Sequence, residues 1–179
     1  MKNIKYLFLL LIASLTISVN GQEIKKIIAL KESFRKDTVF SFSSGDTKTY
    51  LPVVVLKGKE NGPVFSIVAG IHGYEYPPIV AMQELIKEVD INKLKGTLII
   101  IPIANVASFY KRTPFINPID QKNLNNAFPG SKTGTITDQL ASFITTEVIA
   151  NTNVFLDIHG GDANEDLLPF VCFYDRKDT

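Results

Sequence analysis

The sequence predicts an α/β fold in which helices flank a mixed, largely parallel sheet. Apolar runs of strand length recur along the chain, and several of them end at glycine-containing turns. An amphipathic helical pattern lies between two of these runs, and strand, helix and strand in that order favour a parallel pair with a right-handed crossover. The chain has 179 residues, of which 45% are hydrophobic and 21% charged, so it is long enough to bury the core of one globular domain.

Residues 1–21 are predicted to be a secretory signal peptide. Lys2 and Lys5 supply positive charge, residues 6–17 are mostly apolar, and small residues follow. We therefore expect cleavage after Gly21 and a secreted or periplasmic product. An uncleaved anchor is the alternative, but the apolar stretch is shorter than the ~20 residues that span a bilayer, so no stable membrane span is expected after cleavage.

The remaining elements follow from hydrophobic periodicity and turn signals, although residues 22–36 predict no single state. Strand patterns fall at residues 38–42, 51–56, 64–69, 97–102, 153–158 and 169–174. Helical patterns fall at residues 78–89, which begin with a proline, and at residues 137–150. The only cysteine, Cys172, lies in the last strand pattern, where we expect a buried structural residue rather than a nucleophile.

Residues 105–134 form a long connection in which the periodicity disappears. This tract contains Pro114, Pro118, Pro129 and many asparagines. A connection of this length inside a compact domain usually carries function. We therefore expect part of the functional site to lie here.

The only two histidines each follow a predicted buried strand. His72 lies in the glycine-rich turn after residues 64–69 and precedes Glu75 by three positions, and His159 directly follows residues 153–158. The carboxyl ends of strands in open α/β sheets are where ligands bind, and two histidines with one carboxylate are a common zinc ligand set. The hypothesis is that His72, Glu75 and His159 bind one zinc ion. The alternative is two unrelated histidines, each hydrogen-bonded within its own loop.

Asp157 lies two residues before His159 and has two possible roles. One is to orient the metal ligands from outside the coordination sphere. The other is to hydrogen-bond the backbone at the end of the strand.

These motifs resemble those of the succinylglutamate desuccinylase/aspartoacylase family, which is related to the zinc carboxypeptidases. The turn Gly-Ile-His-Gly-Tyr-Glu-Tyr-Pro at residues 70–77 is similar to the family's first zinc motif, and Leu-Asp-Ile-His at residues 156–159 to its second. Asn105, Arg112 and residues 120–130 resemble its substrate loop. The resemblance implies a zinc-carboxypeptidase-like fold and an amide hydrolase that acts on a small molecule or peptide.

The resemblance also implies residue roles. His72, Glu75 and His159 match the zinc ligands, and Arg112 matches the arginine that polarises the scissile carbonyl. Asn125 matches an asparagine that binds the substrate carboxylate.

The sequence departs from the family pattern in two ways. Asn126 stands where the family usually has an arginine, so Asn126 is expected to bind a neutral group or to leave the carboxylate to another cation. No position matches the later glutamate that serves as general base. We therefore expect residues 22–179 to be the N-terminal part of a zinc hydrolase domain, a fragment with an incomplete sheet. The alternative is a non-catalytic zinc- or ligand-binding module.

Nucleic acid is not an expected partner. The net charge is +1, and no basic run is interleaved with aromatic residues.

Overall fold

The computed structural model describes residues 23–173. The predicted signal peptide lies outside the described residues. The helices are α1 (Glu23–Ile28), α2 (Tyr76–Glu88), α3 (Val106–Lys111) and α4 (Ile136–Phe143), and the strands are β1 (Phe34–Ser44), β2 (Thr47–Lys57), β3 (Glu60–Ala69), β4 (Lys95–Ile101) and β5 (Val154–Ile158). None of the described helices is both long and apolar enough to cross a membrane.

The five strands form one mixed sheet in the order β1-β2-β4-β3-β5. β1 pairs with β2, and β2 with β4, in antiparallel fashion. β3 pairs in parallel with both β4 and β5. The predicted parallel pairing of β3 with β4, with α2 between them in the chain, is therefore confirmed, and so is the mixed sheet flanked by helices.

Both faces of the sheet are covered, which explains why its central strands read as continuous apolar runs. Val53, Val55, Ile99 and Ile101 point to one face, where they pack in a core shared with α1 and α4. The alternate residues of β2 and β4 point to the other face and pack against α2.

The second predicted helix changes its pitch along its length. After α4 the chain continues as a π-helical turn, Ile144–Val148, and a short 3-10 helix, Ile149–Asn151. The hydroxyl groups of Thr145 and Thr146 donate to carbonyl oxygens four residues earlier, each over 2.9 Å. Threonines that bond in this way tend to bend a helix.

The predicted connection at residues 105–134 is not devoid of structure. It holds α3 and the 3-10 helix Leu124–Asn126. Isolated backbone bonds and side chains together organise the rest. The Asn117 amide donates to the Lys122 carbonyl over 2.8 Å, and Asp120 accepts from both the amide and the hydroxyl of Thr137 over 2.8 Å and 2.7 Å.

The prediction of a strand at residues 169–174 is wrong over the residues that the structure describes. Residues 169–173 have no regular structure, and Cys172 is exposed rather than buried. A strand needs a neighbour to pair with, and no strand among residues 23–173 lies beyond β5. For the same reason β5 is less buried than predicted, with Val154 53% and Leu156 40% exposed.

Candidate metal centre

Two parallel strands bring the predicted metal ligands to one edge of the sheet. Ala69 of β3 is in register with Ile158 of β5. His72 follows the first of these residues by three positions and His159 follows the second directly. Because parallel strands end at the same edge, side chains just past both ends converge.

The structure groups His72, Glu75 and His159 closely enough to share one ion. One ligand atom from each residue lies within 4.8 Å of those of the other two. The Glu75 carboxylate lies between the imidazoles, with Oε1 2.7 Å from Nδ1 of His72 and Oε2 3.1 Å from Nδ1 of His159. The side chains of His72 and Glu75 are 9% and 6% exposed, whereas that of His159 keeps 32% exposure, so the centre opens on the His159 side.

The outer nitrogens of both rings face oxygen atoms. Nε2 of His72 is 3.1 Å from Oδ1 of Asn123, and Nε2 of His159 is 3.0 Å from Oδ2 of Asp157. Oδ1 of Asn123 also accepts from the Asn125 amide over 2.9 Å, which identifies it as the amide oxygen. The predicted orienting role of Asp157 is thus matched by a direct contact with His159.

This pattern of acceptors fits a metal ion. A neutral imidazole has one N–H, yet both nitrogens of both rings face oxygens. A cation bound by both Nδ1 atoms and the carboxylate would resolve this mismatch. With Nε2–H donated outward, both Nδ1 lone pairs are directed to the shared centre, as in many zinc sites. Two imidazoles and a carboxylate are ligands that zinc accepts.

The surroundings of Glu75 and His159 favour the charged form of each side chain. Burial works to raise the pKa of Glu75, but hydrogen bonds from His159, His72 and the Gly160 amide outweigh it and lower the pKa to about 2. Hydrogen bonds to Asp157 and Glu75 raise the pKa of His159 to about 10, against the effect of burial. The raised pKa of His159 favours its protonated form beside Asp157 and Glu75.

The turn that carries His72 and Glu75 is packed tightly onto α3. Gly70 adopts a left-handed φ of +67°. A Cβ on Gly73 would lie 2.3 Å from the amide nitrogen of Phe109 and 2.6 Å from the carbonyl oxygen of Asn105. The Gly73 amide donates to the Ser108 hydroxyl over 3.1 Å. Glycine is therefore required at position 73 for the turn to approach the helix.

The other predicted site residues do not join the metal group directly. Arg112 is exposed and lines a groove beside Tyr74. Asn125 and Asn126 are exposed in the 3-10 helix. Within residues 23–173 the Arg112 guanidinium forms no hydrogen bond or ion pair.

Arg112 ends α3 in a left-handed conformation, with φ 54° and ψ 44°. This conformation costs a non-glycine residue about 1–2 kcal/mol. We expect Arg112→Gly to raise the free energy of unfolding by about 0.5–1 kcal/mol, since glycine removes the strain but loses more backbone entropy on folding. Urea denaturation measures this difference.

Lys111→Gly is the matched control for that substitution. Lys111 is the last residue of α3, where glycine lowers stability by up to about 1 kcal/mol. Equal destabilisation by both substitutions would contradict the strain at Arg112.

Sequence reasoning missed Asn123 and Phe115 as residues of the site. Asn123 contacts His72, and the Phe115 ring lies edge-on to the His72 ring with centroids 5.3 Å apart. Asn123 falls within the substrate-loop resemblance at residues 120–130, so a signal for it was present. Phe115 carried no signal, because only the folded connection brings it over the histidine.

Comparison with known proteins decides the family. The sequence model of the succinylglutamate desuccinylase/aspartoacylase catalytic-domain family matches residues 61–179. The chain belongs to this family. It is 32% identical over 152 residues to an N-alpha-acetyl-L-2,4-diaminobutyric acid deacetylase from Halomonas elongata, an alignment that covers 84% of this chain and 43% of that protein. A deacetylase of this kind hydrolyses an amide bond.

Solved structures of family members share the fold. The ectoine utilization protein EutE (DoeB) from Ruegeria pomeroyi, in its product-bound structure, is 30% identical, with a TM-score of 0.64 over 72% of this chain and 40% of that one. A succinylglutamate desuccinylase from Silicibacter is 28% identical, with a TM-score of 0.66 over 75% of this chain and 41% of that one. The chain thus spans less than half the length of the relatives it matches.

Proposed function

We propose that this chain binds one Zn²⁺ through His72, Glu75 and His159 and that the centre serves the hydrolysis of an amide bond. The observation that carries the proposal is the convergence of two imidazole Nδ1 atoms on one buried carboxylate. Deacylation or carboxypeptidase-like cleavage of a small molecule or peptide is the reaction class. Membership of a family that includes a deacetylase supports that class.

The zinc ligands, their hydrogen-bonding partners and Arg112 each have a proposed part in the reaction. Zinc at such a site supplies Lewis-acid polarisation of a carbonyl and makes water acidic enough to attack near neutral pH. Asn123 and Asp157 hold the two rings with Nδ1 inward. Arg112 stabilises the negative charge that develops on the carbonyl oxygen, where a fixed cation is most effective.

Substrate binding is proposed for the exposed amides of Asn125 and Asn126. Both lie in the 3-10 helix that directly follows Asn123, and Asn123 contacts His72. Asn126 has no charge, so it cannot form the bidentate pair with a carboxylate that an arginine forms. We propose that it contacts a neutral part of the substrate.

A test of the proposed function measures amine release from N-acyl amino acids by the zinc-loaded chain. We expect slow hydrolysis that requires zinc and is lost in His159→Ala. Because no residue among 22–179 matches the family's general-base glutamate, the rate should lack the roughly 10²–10⁴-fold that such a base contributes. Stoichiometric zinc binding without hydrolysis above the protein-free rate would reject the enzyme.

That result would favour a second candidate, a non-catalytic zinc- or ligand-binding module. The neutral Asn126 favours this candidate, because it removes a substrate-gripping cation that the family pattern contains. In that case zinc binding would change ligand affinity without any turnover.

Zinc binding is expected to release about one proton at pH 7–9. The proton on His159 must leave before Nδ1 can bind a metal ion, and the pKa of about 10 keeps it in place over this range. Affinity should therefore rise with pH by up to about tenfold per unit until that pKa is reached. Isothermal titration calorimetry in buffers of different ionisation enthalpy counts the protons, and a count of zero would contradict the raised pKa.

We also propose that the protein is exported and cleaved after Gly21. The charged and apolar pattern of residues 1–21 supports this proposal. Intact mass of the protein recovered outside the cytoplasm tests it, with Gln22 as the expected first residue.

A further inference from the structure

An aromatic groove lies next to the metal-ligand turn. The rings of Tyr74 and Tyr76, of Tyr76 and Phe109, and of Phe109 and Tyr110 stack edge to face, with centroids 5.4, 5.7 and 5.4 Å apart. Tyr110 is 68% exposed. The groove has a volume of about 690 Å³, which suits a small-molecule ligand. We call it the Tyr74–Arg112 groove.

The charge in this groove is of one sign. Arg112 is the only charged side chain among the described residues that line it. Its guanidinium has no hydrogen-bonding or ionic partner anywhere in residues 23–173. Arg112 occupies a left-handed position at the end of α3 that glycine would adopt without strain.

The packing of α3 joins the groove to the metal centre. Tyr74 lies between the ligands His72 and Glu75 in the chain. Gly73 of the same turn approaches Phe109 so closely that no Cβ would fit. The end of α3 is held in turn by Ser108, whose hydroxyl donates to the Thr113 carbonyl over 2.7 Å. The groove and the metal centre therefore share the turn at residues 72–75, and both are built on its contact with α3.

We infer that the Tyr74–Arg112 groove binds the acyl part of an N-arylacyl substrate, with its ring on the aromatic side chains and its carbonyl oxygen toward Arg112. This inference rests on the proposed amide hydrolysis and names the substrate class. Aromatic ligands gain affinity from edge-to-face and offset contacts with such rings. Water adds across the amide bond, so that the hydroxyl joins the acyl carbon and the hydrogen joins the leaving nitrogen. The products are an aryl carboxylate, which pairs with Arg112, and an amine.

The test uses phenylacetate, a product of this class, with the full chain in EDTA. NMR titration is expected to show phenylacetate binding at least tenfold tighter than acetate or 2-phenylethanol. Shifts should fall on Tyr74, Tyr76 and Phe109. Arg112→Gln should weaken phenylacetate at least tenfold, whereas Lys111→Gln, which removes a neighbouring charge outside the groove, should change it less than twofold.

Fold stability separates this binding role from a structural one. Arg112→Gly is expected to be at least as stable as the parent chain and yet to lose phenylacetate. Equal affinity for phenylacetate and acetate, or an unchanged affinity in Arg112→Gln, would overturn the inference.

Because EDTA removes zinc, the groove is tested independently of the metal. Tight phenylacetate binding without hydrolysis of N-phenylacetyl amino acids by the zinc-loaded chain would support the groove and reject the proposed enzyme. Hydrolysis of N-acetyl but not N-phenylacetyl amino acids would reject the groove and support the enzyme.

Discussion

Glu75→Gln is expected to weaken zinc binding by at least about 10³-fold. The substitution keeps the shape of the side chain but removes the carboxylate that, alone among residues 23–173, contacts both histidines. Loss of a ligand must exceed the 10–100-fold that typically follows loss of an outer hydrogen-bonding partner. Competition against a chromophoric zinc chelator measures the dissociation constant.

Two controls grade the effect of Glu75→Gln. Asn123→Ala removes the oxygen that faces Nε2 of His72 and accepts from the Asn125 amide, and it should weaken zinc binding by 10–100-fold. Glu165→Gln changes a carboxylate that accepts from the Asp162 amide. It should weaken zinc binding by less than about threefold, because Glu165 is not one of the three grouped residues. If Glu75→Gln bound zinc with an affinity within threefold of the parent chain, Glu75 would not be a zinc ligand.

Gly73→Ala is expected to lower the free energy of unfolding by about 3 kcal/mol, at the upper end for an overpacked site. The new Cβ would lie 2.3 Å from the Phe109 amide nitrogen and 2.6 Å from the Asn105 carbonyl oxygen. Both are backbone atoms, which cannot move away by a change of side-chain rotamer. The turn must move away from α3, and His72 and Glu75 move with it. The melting temperature should fall by about 2–4 °C for each kcal/mol lost in a chain of this size. Zinc affinity should fall as well.

Gly45→Ala is the control for the steric argument. Gly45 has a left-handed φ of +58°, but a Cβ there would meet nothing within 4 Å. Its cost is only the backbone strain of about 1–2 kcal/mol. A Gly73→Ala cost no larger than that of Gly45→Ala would contradict the close packing of the metal-ligand turn on α3.

The ligand group was predictable because strand periodicity is a local signal. Apolar runs located β3 and β5, and the rule that ligands bind at the carboxyl ends of parallel strands placed His72 and His159 together. The histidine spacing alone did not decide between a shared ion and two separate loops. The register of Ala69 with Ile158 brings both histidines to one edge of the sheet, as the hypothesis of a shared ion requires.

What the sequence did not predict depends on contacts between distant segments. The Asn123 contact with His72 and the packing of Phe115 on the same ring arise from a connection of turns held by isolated backbone and side-chain hydrogen bonds, which leave no periodic pattern in the sequence. The strand expected around Cys172 did not form, because an apolar run becomes a strand only where a neighbour pairs with it. The apolar residues at 167–173 are exposed for the same reason, because no strand among residues 23–173 pairs with them.

Zinc K-edge X-ray absorption of the full chain with one equivalent of zinc tests the central claim most directly. We expect only nitrogen and oxygen neighbours at about 2.0–2.2 Å, with the outer-shell scattering of two imidazole rings. Cys172 is an exposed thiol and the main competitor for the ion. A sulfur neighbour near about 2.3 Å, or scattering from fewer than two imidazoles, would show that His72, Glu75 and His159 do not together bind the metal.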